Sequence, residues 1–192
     1  GTARSAEPLV EQGSDVASGY LTWPRCVAHL GAPLALVTMT RLILASQSPA
    51  RLKTLRAAGI DPDVIVSDVN EEAIEAALPD ATPAHLAQVL AQAKAEKVAA
   101  VIDEPAIVIG CDSVFELDGV AYGKPQSRDV AKERWRSMMG RSGTLHTGHH
   151  VIDTRNNASA SATASTIVNM GTMSEQEMDD YLATGEPLQV AG

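Results

Sequence analysis

The chain has 192 residues, with 15 lysines and arginines against 24 aspartates and glutamates, and so a net charge of −9. Hydrophobic residues make up 45% and aromatics 3%, which fits one or two globular domains and excludes a base-stacking or cationic surface for long nucleic acid. No apolar run approaches the roughly 18 residues of a membrane span, and no basic front with a long apolar stretch marks a secretion signal.

Residues 1–38 mix Gly, Ala, Pro and Ser with scattered charges and no period. They read as a leader, disordered or non-native, or as a small extra element, so the domain is expected over 39–192. Cys26 and Cys111 could pair on paper, but two cysteines so far apart do not make a stapled secreted scaffold, and the cytosol is the expected compartment.

Leu42-Ile43-Leu44-Ala45 reads as a buried strand. Ser48 and Pro49 then suit the N-cap and first position of a helix carrying Leu52, Leu55 and Ala58, with Gly59 as its stop. Val64-Ile65-Val66 reads as a second strand, followed by a loop through Glu71. Thr82-Pro83 opens a longer helix whose apolar stripe is Leu86, Val89, Leu90, Ala93 and Val101. Lys94 at its border and Lys97 within it are expected to snorkel to water.

Ala106-Ile107-Val108-Ile109 shows no alternation and reads as a strand covered on both faces. Asp118-Gly119 signals a hairpin turn. Ser127 caps a helix bearing Ala131, Trp135, Met138 and Met139 and ending at Gly140. Strands follow from Leu145 to Ile152 and from Ala158 to Val168, then a helix opened by the Ser174/Glu177 capping box and stopped at Gly185. Interleaved strands and helices with a hairpin imply an α/β fold, a mixed sheet with flanking helices. Ala191-Gly192 follows the last stop signal with no further strand to seal the sheet, which reads as C-terminal truncation.

Four places set reactive side chains at element ends. Ser46-Gln47-Ser48-Pro49-Ala50-Arg51 presents helix N–H groups, two hydroxyls and a guanidinium, a combination that suits an anion and equally an ordinary capped helix. Asp112 follows the most apolar run, where a carboxylate is costly unless it meets a cation or performs chemistry. Lys124, between Gly123 and Pro125, projects a point charge suited to phosphate oxygens or simply to water. Glu71, with Asp68 nearby, could hold a divalent cation or lie in a solvated loop. His146, His149 and His150 do not make a zinc site, because neighbours in a strand face opposite ways and His146 to His150 spans about 13 Å. Cys111 has no evident base and reads as a small core residue. Neither Gly-x-x-x-x-Gly-Lys-Ser/Thr nor Gly-x-Gly-x-x-Gly occurs.

Five segments stand in the order found in one known family: Leu42 to Arg51, Ile107 to Ser113, Gly123-Lys124-Pro125, Gly140-Arg141-Ser142 and Tyr181 to Pro187. Over 39–192 the chain resembles the Maf family of nucleoside triphosphate pyrophosphatases, also called septum formation inhibitors. The resemblance implies a cytoplasmic hydrolase that releases pyrophosphate from non-canonical or excess nucleoside triphosphates with Mg²⁺ or Mn²⁺. It also implies a link to cell-division arrest and, as in several members, a homodimer; a non-catalytic nucleotide-binding regulator of septum formation is the alternative. It puts the catalytic aspartate at Asp112, substrate contacts at Ser46, Ser48, Arg51, Lys94, Ser113 and Lys124, and metal ligands at Glu71 and Asp112. Ala50 replaces a family arginine that helps select the base, Ser113 replaces a common threonine, and the family's glycine-rich C-terminal segment is not part of this sequence.

Overall fold

The computed structural model describes residues 40–125 and 127–190; the expected leader, Cys26 and the C-terminal pair lie outside them. Its strands are β1 (Arg41–Ala45), β2 (Asp63–Val64), β3 (Ala106–Leu117), β4 (Val120–Tyr122), β5 (Ser142–Asp153) and β6 (Ala158–Asn169). Its helices are α1 (Pro49–Ala57), α2 (Glu71–Ala77), α3 (Pro83–Ala99), α4 (Arg128–Met138) and α5 (Glu175–Ala183), with a 3-10 turn at Glu186–Gln189. The sheet runs β2-β1-β3-β5-β6, with β4 also on β3. β1 is parallel to β2 and β3, and the remaining pairs are antiparallel. The fold is therefore α/β with a mixed sheet and flanking helices, as the alternation of elements implied.

One edge of β3 positions everything that follows. β5 pairs along residues 107–116 of β3, so β1 and β4 must share the opposite edge. β1 occupies 106–110 and β4 occupies 115–117. Between them, residues 111–114 face a gap entered from one end by the loop after β1 and from the other by the chain leaving β4.

Helix α3 lies unusually close to the sheet. A Cβ on Gly110 would overlap the backbone of Ala91 and Ala95, and one on Gly148 would overlap that of Ala87. Small residues on both sides therefore let backbone meet backbone, and the buried face of α3 is Pro83, Ala87, Leu90, Ala91, Lys94, Ala95 and Val98. This corrects the expected stripe: Val101 is exposed and Lys94 is buried, because close approach selects alanines rather than the bulkiest side chains. Lys97 is exposed, as expected. The α3 face of the core gathers Ile43, Ala45, Ala95, Val98, Val108 and Ile152. Phe115, Leu117 and Met138 form a second cluster where α4 closes the far end of β3.

Three more expectations change. Helix α1 buries none of its residues, so its leucines are half-exposed. β2 is a two-residue exposed edge rather than a strand through Val66. α2 was not expected: Asn70 caps it by accepting from the Ala73 N–H, and Glu71 and Glu72 stand in its first turn, where the helix dipole favours them. Glu71 is thus a helical residue, held in place by backbone hydrogen bonds.

β6, an alternation of Ala and Ser or Thr, is exposed over almost all its length. Its register is pinned by polar side chains, since such a strand specifies pairing weakly by itself. His146 Nδ1 lies 2.8 Å from Ser165 Oγ, His150 Nδ1 lies 2.7 Å from Ser161 Oγ, and Thr163 donates to Gln88 Oε1 at 2.9 Å. No helix among the described residues is long and apolar enough to cross a membrane.

Candidate active site

Asp112 and Ser113 are neighbours on β3, so their side chains leave opposite faces of the sheet. They anchor two different clusters.

On the α3 face, Lys94 Nζ donates to Asp112 Oδ1 and forms an ion pair with Glu71 Oε1 at 2.8 Å. Lys94 is 7% exposed and Asp112 8%. A buried ammonium and carboxylate are tolerable together because each satisfies the other, whereas removing Lys94 leaves Asp112 as a bare charge in low dielectric. The snorkelling reading of Lys94 is therefore wrong: the tight approach of α3 to Gly110 brings its side chain across Asp112 instead of out to water. Glu75, one turn beyond Glu71, has its carboxyl pushed above the usual range, first by burial and then by Glu71, Asp112 and Glu72. Negative charge on this face exceeds what Lys94 alone neutralises.

Asp112 was expected at the carboxyl end of its strand; it lies in the middle of β3 instead. The strand that ends at this level is β1, whose Ala45 pairs with Gly110. The position beyond a strand end, where open α/β sheets bind ligands, is thus supplied by the neighbouring strand.

On the opposite face Arg51 is held by hydroxyls. Its Nη1 donates to Ser46 Oγ and its Nη2 to Ser113 Oγ, each at 3.2 Å. Ser46, buried, also accepts from the Ser48 N–H at 3.1 Å. Ser113 Oγ lies 3.0 Å from Thr147 Oγ1 on β5. Ser48 caps α1 by accepting from the Arg51 N–H. Neutral oxygens fix the guanidinium without cancelling its charge, so it remains available to an anion. Cys111 lies on this face with its thiol pushed up by burial, against the pull of Arg51, and so is a poor nucleophile.

Lys124 is exposed. Tyr122 pairs with Phe115, so the chain leaving β4 through Gly123 and Lys124 starts along the vacant edge of β3 in the direction of Asp112. Ser46, Ser48, Arg51 and Ser113 therefore form one hydrogen-bonded group and Glu71, Lys94 and Asp112 form another, while Lys124 follows β4 two residues past its Tyr122 end and is joined to neither by a hydrogen bond or ion pair. Residues missed in the sequence are Thr147 and Glu75. Glu75 had a readable signal, the Asn70-Glu71-Glu72 helix start that sets it one turn after Glu71; Thr147 had none, because only strand register brings it to Ser113.

No group of three or more His, Cys, Asp or Glu side chains suited to a metal ion occurs among the described residues. Asp112 and Glu71 nevertheless direct oxygens at one point where a cation, the Lys94 ammonium, already stands. Two carboxylates with hard oxygen donors fit Mg²⁺ or Mn²⁺ of the kind completed by phosphate oxygens and water.

A family model described as Maf-like protein matches residues 41–192. A nucleoside triphosphate pyrophosphatase of Streptomyces avermitilis is 55% identical over 153 residues, covering 79% of this chain and 72% of its own. One from Streptomyces coelicolor is 56% identical over the same length and coverage, and one from Mycobacterium tuberculosis is 48% identical over 165 residues, 80% of this chain and 74% of its own. Among solved structures, the Staphylococcus aureus Ham1 protein aligns with a TM-score of 0.43 at 15% identity, over 68% of this chain and 71% of that one, a likeness too loose to bear on the chemistry here.

Proposed function

The chain belongs to the Maf family, and from that premise we propose that it hydrolyses nucleoside triphosphates to the monophosphate and pyrophosphate, with Asp112 at the centre of the site. The observation that supports the site is that adjacent residues of β3 anchor both clusters: Asp112 the buried Lys94–Asp112–Glu71 group on one face, and Ser113 the Arg51 with uncancelled charge on the other.

Phosphoryl transfer leaves the protein little covalent work, so positioning and charge neutralisation dominate. Arg51 would take phosphate oxygens with its planar fork, held in direction by Ser46 and Ser113. Lys124 would add a second cation from the β4 side. Lys94 donates to Asp112 Oδ1 and fixes it, which leaves Oδ2 to orient a water and accept its proton during attack on the α-phosphorus. Asp112 and Glu71 would hold the divalent cation, which when bound polarises the phosphate and neutralises developing charge.

Metal-dependent pyrophosphate release from a panel of canonical and modified triphosphates tests the reading. Pyrophosphate rather than orthophosphate should appear, and Asp112→Asn should reduce kcat by roughly 10³-fold or more with the thermal melt still cooperative. Nucleotide binding by the wild-type chain with no product over hours would instead make it a binding regulator, the alternative implied by the resemblance.

A further inference from the structure

Arginines in the described chain mostly neutralise carboxylates: Arg41 pairs with Asp63, Arg56 with Asp61, Arg136 with Glu175, Arg141 with Asp118 and Arg155 with Asp153. Arg51, Arg128 and Arg134 have no carboxylate partner among the described residues. Of these, Arg134 on α4 is half-buried, its Nη1 donates to the carbonyl oxygen of Gly123 at 2.9 Å, and its guanidinium carbon lies 5.5 Å from the centre of the Tyr122 ring. No carboxylate lies within ion-pair distance of Arg134 among the described residues.

Both contacts fall on the residues where β4 gives way to the Lys124 segment. β4 is only three residues long, and Gly123 has the freest backbone of any residue type, with nothing within 4 Å of the place its Cβ would occupy. Without a restraint, the segment carrying Lys124 would sample many directions, and binding would have to order it. A guanidinium stacked on Tyr122 and bonded to the Gly123 carbonyl supplies that restraint from a helix.

We infer that Arg134 is a positioning residue of the polyphosphate site: it clamps the Gly123 carbonyl and so sets where the Lys124 ammonium stands. The inference rests on the reading of Lys124 as a phosphate contact. It gives α4 a part in substrate binding that Arg136, engaged with Glu175, does not share.

A double-mutant cycle on the full chain tests it, with inorganic tripolyphosphate and Mg²⁺ as the probe so that base preference does not enter. Calorimetry should show Arg134→Met and Lys124→Ala each weakening tripolyphosphate about 5–10-fold, the size of one ordinary net hydrogen bond, since an exposed ammonium is screened by water. In the Lys124→Ala background, Arg134→Met should add less than about 2-fold, since its effect passes through the missing ammonium. Arg134→Lys, which keeps a donor, should recover part of the affinity, and Arg136→Ala on the same helix should change nothing. With nucleoside triphosphate, the Arg134→Met loss should appear in KM with kcat held within about 2-fold. Multiplicative losses in the double mutant, or an unchanged Arg134→Met, would overturn the inference while leaving the pyrophosphatase reading intact. Absence of wild-type binding would overturn both. If Arg134→Met melts early, the same cycle run with Arg134→Lys decides between these outcomes.

Discussion

The two faces of β3 hold a cation in opposite ways. Lys94 is surrounded by carboxylates, deeply buried, and its charge is already balanced by Asp112 and Glu71. Arg51 is held by the hydroxyls of Ser46 and Ser113 and keeps its charge for something else. The first arrangement is structural and chemical together: it cannot be disturbed without exposing a buried charge. The second is separable from stability, because Ser46 and Ser113 each keep another hydrogen-bond partner when the guanidinium is removed. The same gap in the sheet thus combines a cation that shapes the catalytic carboxylate with one reserved for substrate.

The comparison breaks most sharply at Lys94. Lys94→Met should destabilise the chain by about 3–5 kcal/mol, since Asp112 is left buried and unpaired, and should abolish pyrophosphate release as well. Pairing it with Asp112→Leu should restore much of the melting temperature and none of the activity; a stable single mutant would mean that Asp112 is less buried than its 8% exposure indicates.

Arg51→Ala should do the reverse. A loss of one or two charged hydrogen bonds to phosphate raises KM roughly 10–100-fold, with stability changed by about 1 kcal/mol or less. Thr147→Val then sharpens the picture, because it keeps the shape of β5 and removes only the partner of Ser113. A KM increase of about 3–5-fold with unchanged melting would assign Thr147 to holding Arg51 in direction. A drop in melting temperature larger than that of Arg51→Ala would assign it to the sheet instead.

The legibility of these two clusters in sequence was unequal for a physical reason. Ser46, Ser48 and Arg51 lie within six residues on a strand-to-helix turn, and local capping chemistry announces them. The hairpin at Asp118-Gly119 was equally local, with both residues at positive φ. Lys94 was misread because hydrophobic periodicity assumes that a helix buries its largest apolar side chains, whereas α3 buries alanines against Gly110 and Gly148. That choice is made by the sheet, forty or more positions away from some of the alanines it selects. Thr147 and Arg134 matter only through register and helix packing, which no local pattern encodes. β3 was read as ending near Asp112 because β1 does end there; the sequence carries no mark of which strand stops.

The smallest effect follows from the excess of carboxylates on the α3 face. Burial, followed by Glu71, Asp112 and Glu72, holds the Glu75 proton more tightly in the folded chain than at its ordinary value of 4.5. A carboxyl with a raised folded value lowers stability once it must ionise, so the loss is absent below pH 4.5 and grows as pH rises through the raised value. Glu75→Gln removes that ionisation. In metal-free buffer it should leave the melting temperature unchanged at pH 4 and raise it by about 1–2 °C at pH 7, a modest shift because Glu75 is only partly withdrawn from water and solvent screens its charge. The hydroxyl cluster around Arg51 contains no acid and should show no counterpart: Ser113→Ala should shift the melting temperature equally at both pH values. If Glu75→Gln instead destabilises at pH 7, then Glu75 is paired with a cation there, and the negative excess that favours a divalent ion beside Asp112 does not exist.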